Sequence, residues 1–165
     1  MQKYIDLAKD MGLPNAKALK PDQVIFDPRA RLKCHWGCQD YFHPSPKCGS
    51  RGLSLAECQD MVGRYKNILL LHGHDAHLLS QAVLAVEAAA FRDGLYMAFG
   101  IRYCNWCKVC AVDQGKDCVS PEKVRPCEQA LGIDVFRTAR EAGLPIQVLQ
   151  SKDEAQNRYG LVLID

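Results

Sequence analysis

Apolar residues recur in the first eleven positions at Tyr4, Leu7, Ala8 and Met11, the i, i+3, i+4, i+7 spacing of one helical face. Gly12 and Pro14 end that helix. QVIFD (23–27) predicts a short strand. From Pro28 to Gly52 the periodicity fails, prolines recur at 28, 44 and 46, and the stretch predicts a loop. It is long for a connection without structure, so something other than backbone pairing should organise it. Ser54 and Glu57 form the S-x-x-E pattern of a capping box and open a helix to about Tyr65, with Leu55, Cys58, Val62 and Tyr65 on one face.

NILLL (67–71) has the length and branching of a buried strand. DAHLLSQAVLAVEAAAFRDG (75–94) predicts the clearest helix, capped by Asp75, stopped by Gly94, and burying Leu79, Ala82, Val83, Val86 and Ala90. YMAFGI (96–101) reads as a strand. Pro126 and Gly132 bracket a short helix as first position and C-terminal stop, and DVFRTAREAG (134–143) is another, from Asp134 to Gly143. IQVL (146–149) and YGLVLI (159–164) read as closing strands, paired as a hairpin across the polar stretch between them. The fold class that results is α/β (or α+β): a single-layer sheet with helices packed on it and two cysteine-rich loops, with 1–165 as one domain.

Composition narrows what such a fold does. A chain of 165 residues, 48% hydrophobic, buries a core without disulfides. A net charge of +2 is too small to point to a nucleic acid or a membrane surface. No apolar run reaches the roughly 18 residues of a membrane span. MQKYIDLAKD lacks the apolar stretch of a signal peptide, so a cytoplasmic location is expected. Nine cysteines are many for such a protein. In a reducing compartment clustered thiols read as metal ligands rather than disulfides, and an odd count would strand one thiol in a pure disulfide framework.

The sharpest motif is CNWCKVCAVDQGKDC (104–118). Cys104, Cys107 and Cys110 follow a C-x2-C-x2-C spacing that turns three sulfurs toward one small object, as in the bacterial ferredoxin run. Cys118 follows after seven intervening residues, further than in that run. A [4Fe-4S] cluster on these four cysteines is the first expectation. Zinc is the alternative, because four thiolates also satisfy its tetrahedron. Trp106 would shield the metal, and Lys108 and Lys116 either offset cluster charge or are solvated loop charges.

The first cysteine loop supplies Cys34, Cys38 and Cys48 at looser spacing. These three predict a second metal site, packed against the first. Its fourth ligand is open among Cys58, Cys127, a histidine such as His35 or His43, and an exogenous group. Cys58 sits on the apolar face of its helix, as a buried structural thiol would. Cys127 falls in the first turn of the predicted 126–132 helix, where the macrodipole lowers a thiol pKa. It is packed, a ligand, or reactive. LLLHGHDAH (69–77) imitates the HxHxDH pattern of metallo-β-lactamase-like hydrolases, but Asp75 is displaced by one position. His72, His74 and His77 read as a strand end and helix cap, with a mixed His/Cys zinc site through His72 and His74 as the alternative.

RLKCHWGC (31–38), LSLAEC (53–58), the CNWCKVC loop and especially RPCEQALGIDVFRTAREAG (125–143) resemble the DUF2284 family, over about residues 24–164. That resemblance implies bacterial or archaeal metal-binding proteins, mostly from anaerobes. It implies two ligand sets: Cys34, Cys38 and Cys48 in one, and Cys104, Cys107, Cys110 and Cys118 in the other. Where the family has prolines after Cys48, this chain has Gly49-Ser50-Arg51-Gly52, and Cys127 stands where the family commonly has serine. No reaction is implied.

Three functional classes follow. The first is an iron–sulfur protein that relays electrons, or serves as a redox accessory, with a redox partner protein. It would carry one [4Fe-4S] cluster or two. The second is a zinc-stabilised structural or interaction module. The third is a metalloenzyme with an open metal position. No Gly-rich nucleotide fingerprint or Walker sequence is present, and no Ser-His-Asp set stands out.

Overall fold

The computed structural model describes residues 1–38, 40, 48, 52–151 and 153–165. Among these residues five helices accompany one open antiparallel sheet of four strands, in the order β1-β2-β4-β3. The strands are β1 (Asn15–Leu19), β2 (Ile68–Gly73), β3 (Phe99–Ile101) and β4 (Arg158–Leu163). The helices are α1 (Gln2–Asp10), α2 (Pro28–Gly37), α3 (Leu55–Gly63), α4 (Ala76–Arg92) and α5 (Val135–Glu141). Among the described residues no helix is long and apolar enough to cross a membrane.

The unbroken apolar run of β2 follows from its central position, buried on both faces. Leu69 and Leu71 join Val162 and Ile164 under α1 and α4, where Tyr4, Ala8, Leu79, Val83 and Val86 complete one core. Ile68 and Leu70 face the other way. With Ile101, Leu161 and Leu163 they pack on Cys58 and Val62 of α3, Ala139 of α5, and Leu131 and Ile133. The expected single layer of strands is therefore sandwiched by helices on both faces. α3 starts on the reciprocal Ser54–Glu57 capping box, α4 on Asp75 and α5 on Asp134.

Several expectations are corrected. β1 (NAKAL) is a strand without a single β-branched residue. It is held as an edge by its antiparallel register with β2, from Asn15↔His72 to Leu19↔Ile68. QVIFD does not join the sheet. Pro21–Gln23 forms a 3-10 turn, and Phe26 makes an isolated bridge to Ile133. The 28–52 stretch is not all loop, because Asp27 caps α2 by accepting from the Arg29 N–H, with Pro28 at the first helical position. Pro44, Pro46 and residues 49–51 lie outside the described residues.

Residues 126–132 do not form a helix. They make one turn, closed by Leu131 N–H to Cys127 O and Ile133 N–H to Glu128 O. β3 is shorter than expected because Leu95 and Ala98 are used in the turn that leaves α4. IQVL makes no strand and no hairpin, since β4 already has β2 on one side and β3 on the other. Ile146 packs instead on the core, and Tyr159 donates its hydroxyl hydrogen bond to Pro145 O.

The bridge between 25–27 and 132–134 sets up the thiol end of the molecule. Asp27 N–H donates to Gly132 O and Asp134 N–H to Ile25 O, both at 2.8 Å. Gly132 has φ +82°, and a Cβ there would collide with Leu55 Cδ1. Both observations require glycine. Gly132→Ala is expected to lower stability by about 1–3 kcal/mol, read as a smaller urea midpoint at unchanged slope. An unchanged midpoint would show that this turn does not fix the bridge.

Candidate metal centre

The chain leaves the end of β3 directly into the second cysteine loop. Backbone and side-chain contacts anchor its start: Arg102 N–H donates to Pro126 O, Asn105 N–H donates to Ser80 Oγ on α4, and His77 Nδ1 lies 3.1 Å from Asn105 O. Gly115, at φ +73°, closes the 3-10 turn Val112–Gln114 and lets Lys116 N–H reach Ala111 O. Cys104, Cys107, Cys110 and Cys118 all line one cavity of about 150 Å³, together with Trp106 and Lys108. Lys123 Nζ stands 5.4 Å from the Trp106 ring centre. Lys116 is exposed and lines no part of this cavity. Arg125 is held beside the loop by Glu87, whose hydrogen bonds are the main cause of its raised pKa, with Cys104 a smaller one.

The first thiol set is built differently. Cys34 is buried on α2 and Cys38 is the residue that ends it, while Cys48 is buried. All three line a second cavity, of about 650 Å³, and Cys127 lines it with them. Cys127 arrives on the turn held by the 25–27/132–134 bridge, and its Sγ accepts a hydrogen bond from Ala130 N–H at 3.3 Å. Burial pushes its thiol up to about 12, with Glu128, Cys34 and Cys48 adding to the rise against the Ala130 hydrogen bond. The helix-dipole effect expected at Cys127 is absent because no helix starts there. Such a thiol is inert unless a cation stabilises its thiolate.

The two cavities share a wall. Tyr103 and Asn105 line both. Tyr103 also donates its hydroxyl hydrogen bond to Asp40 Oδ2 at 2.6 Å, and Cys48 Sγ donates to Asp40 O. The buried Asp40 thus ties the first loop to the residue preceding Cys104. Cys58 takes no part. It is wholly buried in the core under α3, its thiol pushed up by burial, and it borders a third, apolar cavity of about 890 Å³. His35 lines none of the three cavities, and His43 lies outside the described residues.

Sequence reasoning did not single out Arg102, Glu128 and Arg158, which also line the cavity of the first set. Arg102 is buried beside Glu128, but the pair is 4.0 Å apart, and Arg102 Nε and Glu128 Oε1 have no hydrogen-bond partner among the described residues. No local motif marks these residues, because only the fold brings them to the thiols.

Among the described residues no three Cys, His, Asp or Glu side chains form a ready cage for a single metal ion. The cysteines of the two predicted sets line two separate cavities. A family model described as a predicted metal-binding protein, DUF2284, matches residues 17–164. The chain belongs to the DUF2284 family. No curated protein and no solved structure matches it. A DUF2284 protein with nine cysteines and two thiol-lined cavities has the donor chemistry its family description calls for, since thiolates are the ligands of zinc and of iron–sulfur clusters.

The histidine cluster has other work. His72 is buried, with Nε2 2.8 Å from Asn157 Oδ1 and Nδ1 3.0 Å from Asn15 Nδ2. A neutral ring protonated at Nε2 satisfies both amides, and neither nitrogen is left to bind metal. A second proton at Nδ1 would face the Asn15 amide donor. Burial, with His74 adding to it, lowers the pKa of His72 from the ordinary 6.5 despite the Asn157 hydrogen bond. The neutral form is thus the folded form, and its stabilising effect is complete above pH 6.5 and lost as pH falls toward the folded-state value. Compared at equal metal content, wild-type protein should lose up to about 1.4 kcal/mol per pH unit more than His72→Gln over that window. Parallel stability profiles would show that His72 is not held neutral.

Proposed function

We propose that this protein is a cytoplasmic iron–sulfur protein of the electron-relay class, working with a redox partner protein. One [4Fe-4S] cluster would be held by Cys104, Cys107, Cys110 and Cys118. Cys34, Cys38 and Cys48 would contribute to a second metal site. The observation that carries this reading is that all four cysteines of the C-x2-C-x2-C-x7-C loop line one small cavity. Four thiolates also satisfy a tetrahedral zinc ion; the tight, repeated C-x2-C-x2-C spacing is what favours a cubane. The cluster would supply one-electron chemistry. The chain would supply a partly shielding indole at Trp106 and cationic groups at Lys108 and Arg125, which favour the reduced cluster. The wall shared through Tyr103 and Asn105 supports two sites close enough to exchange electrons.

The test is iron, sulfide and visible absorption in Cys107→Ser, made and handled without oxygen beside wild type. The variant is expected to lose about four irons per chain and the matching share of the brown absorption. Unchanged iron and spectrum would overturn the assignment. A colourless wild-type protein carrying stoichiometric zinc would favour the structural module.

A further inference from the structure

We propose that Cys127 is the fourth protein ligand of the first thiol set, so that Cys34, Cys38, Cys48 and Cys127 together hold a second [4Fe-4S] cluster. The inference rests on the iron–sulfur reading above and completes it. Spacing along the chain cannot suggest it, because Cys127 lies far from the other three and inside a different segment. The fold brings it there through the bridge between 25–27 and 132–134. Asp27, at one end of the bridge, starts the helix that carries Cys34 and Cys38, and Gly132, at the other end, closes the turn that begins at Cys127.

Three observations point to a ligand. All four thiols line the same cavity, which Cys58, the rival fourth ligand, does not border. Cys127 Sγ accepts a backbone N–H, a contact that stabilises a metal-bound thiolate and tunes cluster potential. The same cavity is lined by Arg102, only 9% exposed, whose Nε lacks a hydrogen-bond partner among the described residues and whose guanidinium is 4.0 Å from the Glu128 carboxylate. A buried guanidinium that is incompletely paired is costly in an apolar setting. Beside a cluster carrying four thiolates it becomes a counter-charge. A closed ligand set also decides between two roles. With four protein thiolates no iron has an exchangeable corner, and the site passes electrons instead of binding a small-molecule substrate.

The experiment compares anaerobic wild type, Cys34→Ser, Cys58→Ser and Cys127→Ser. Each is assayed for iron and sulfide, then treated with ferricyanide, which takes one electron as a four-iron cluster releases one Fe²⁺ to leave a three-iron cluster visible by EPR. Cys34→Ser is expected to lose iron from this site, and Cys58→Ser to behave as wild type. Cys127→Ser is expected either to lose about four irons per chain or to give the three-iron signal at an oxidant dose that leaves wild type silent. Wild-type iron content and no such signal in Cys127→Ser, with Cys34→Ser defective, would overturn the proposal while leaving the iron–sulfur reading intact. Wild type without any iron–sulfur absorption would overturn both. If serine at 127 disturbs folding, Cys127→Gly supplied with ethanethiol separates the roles. Recovery of the cluster with ethanethiol and not with ethanol supports ligation, whereas equal recovery with either means that Cys127 only fills space.

Discussion

Two backbone hydrogen bonds, from Asp27 to Gly132 and from Asp134 to Ile25, hold the thiol end of the molecule together. They lie outside the sheet and join two segments more than a hundred positions apart in sequence. Around them sit two helix starts, Asp27 capping α2 and Asp134 capping α5, and Thr138 Oγ1 of α5 accepts from Ile25 N–H as a third tie. The sheet and its two cores fix α3, α4 and α5. The bridge converts that rigidity into the placement of Cys34, Cys38 and Cys127 around one space. Without it, three cysteines on a short helix and a loop would have no fixed partner across the molecule.

The second constraint is electrostatic. Cys34 and Cys48 are buried, and burial pushes the thiol of Cys127, which lines the same cavity, up to about 12. Arg102 lines the cavity of the first set and Lys108 that of the second, while Arg125 interacts electrostatically with Cys104. A metal bound at these thiols would offset that cost of burial, because metal binding is coupled to folding. Asp40, tied to both Tyr103 and Cys48, links the two cysteine-bearing segments.

Much of this was legible in the sequence where a local rule was strong. The S-x-x-E box of α3, the Asp75 and Asp134 caps, and the apolar run of β2 all appear where their residues put them. The four cysteines of the C-x2-C-x2-C-x7-C loop likewise line one cavity. The losses came where tertiary structure outweighed local pattern. β1 contains two alanines, an asparagine and a lysine, and is a strand only because β2 offers it an edge. IQVL has strand composition but no edge left to pair with. QVIFD spends its hydrogen bonds on the bridge, and α2 was hidden by the absence of a regular apolar face although Asp27-Pro28 signalled its start. The company of Cys127, Arg102 and Glu128 is a property of the folded chain, with no counterpart in any local motif.

We propose that two neighbouring thiol sets each hold a four-iron cluster. The most direct test of this claim is the iron, acid-labile sulfide and zinc content of wild-type protein purified without oxygen. About eight irons and eight sulfides per chain are predicted, with zinc absent. Stoichiometric zinc without sulfide would contradict the claim outright, and about four irons per chain would remove the second cluster from it.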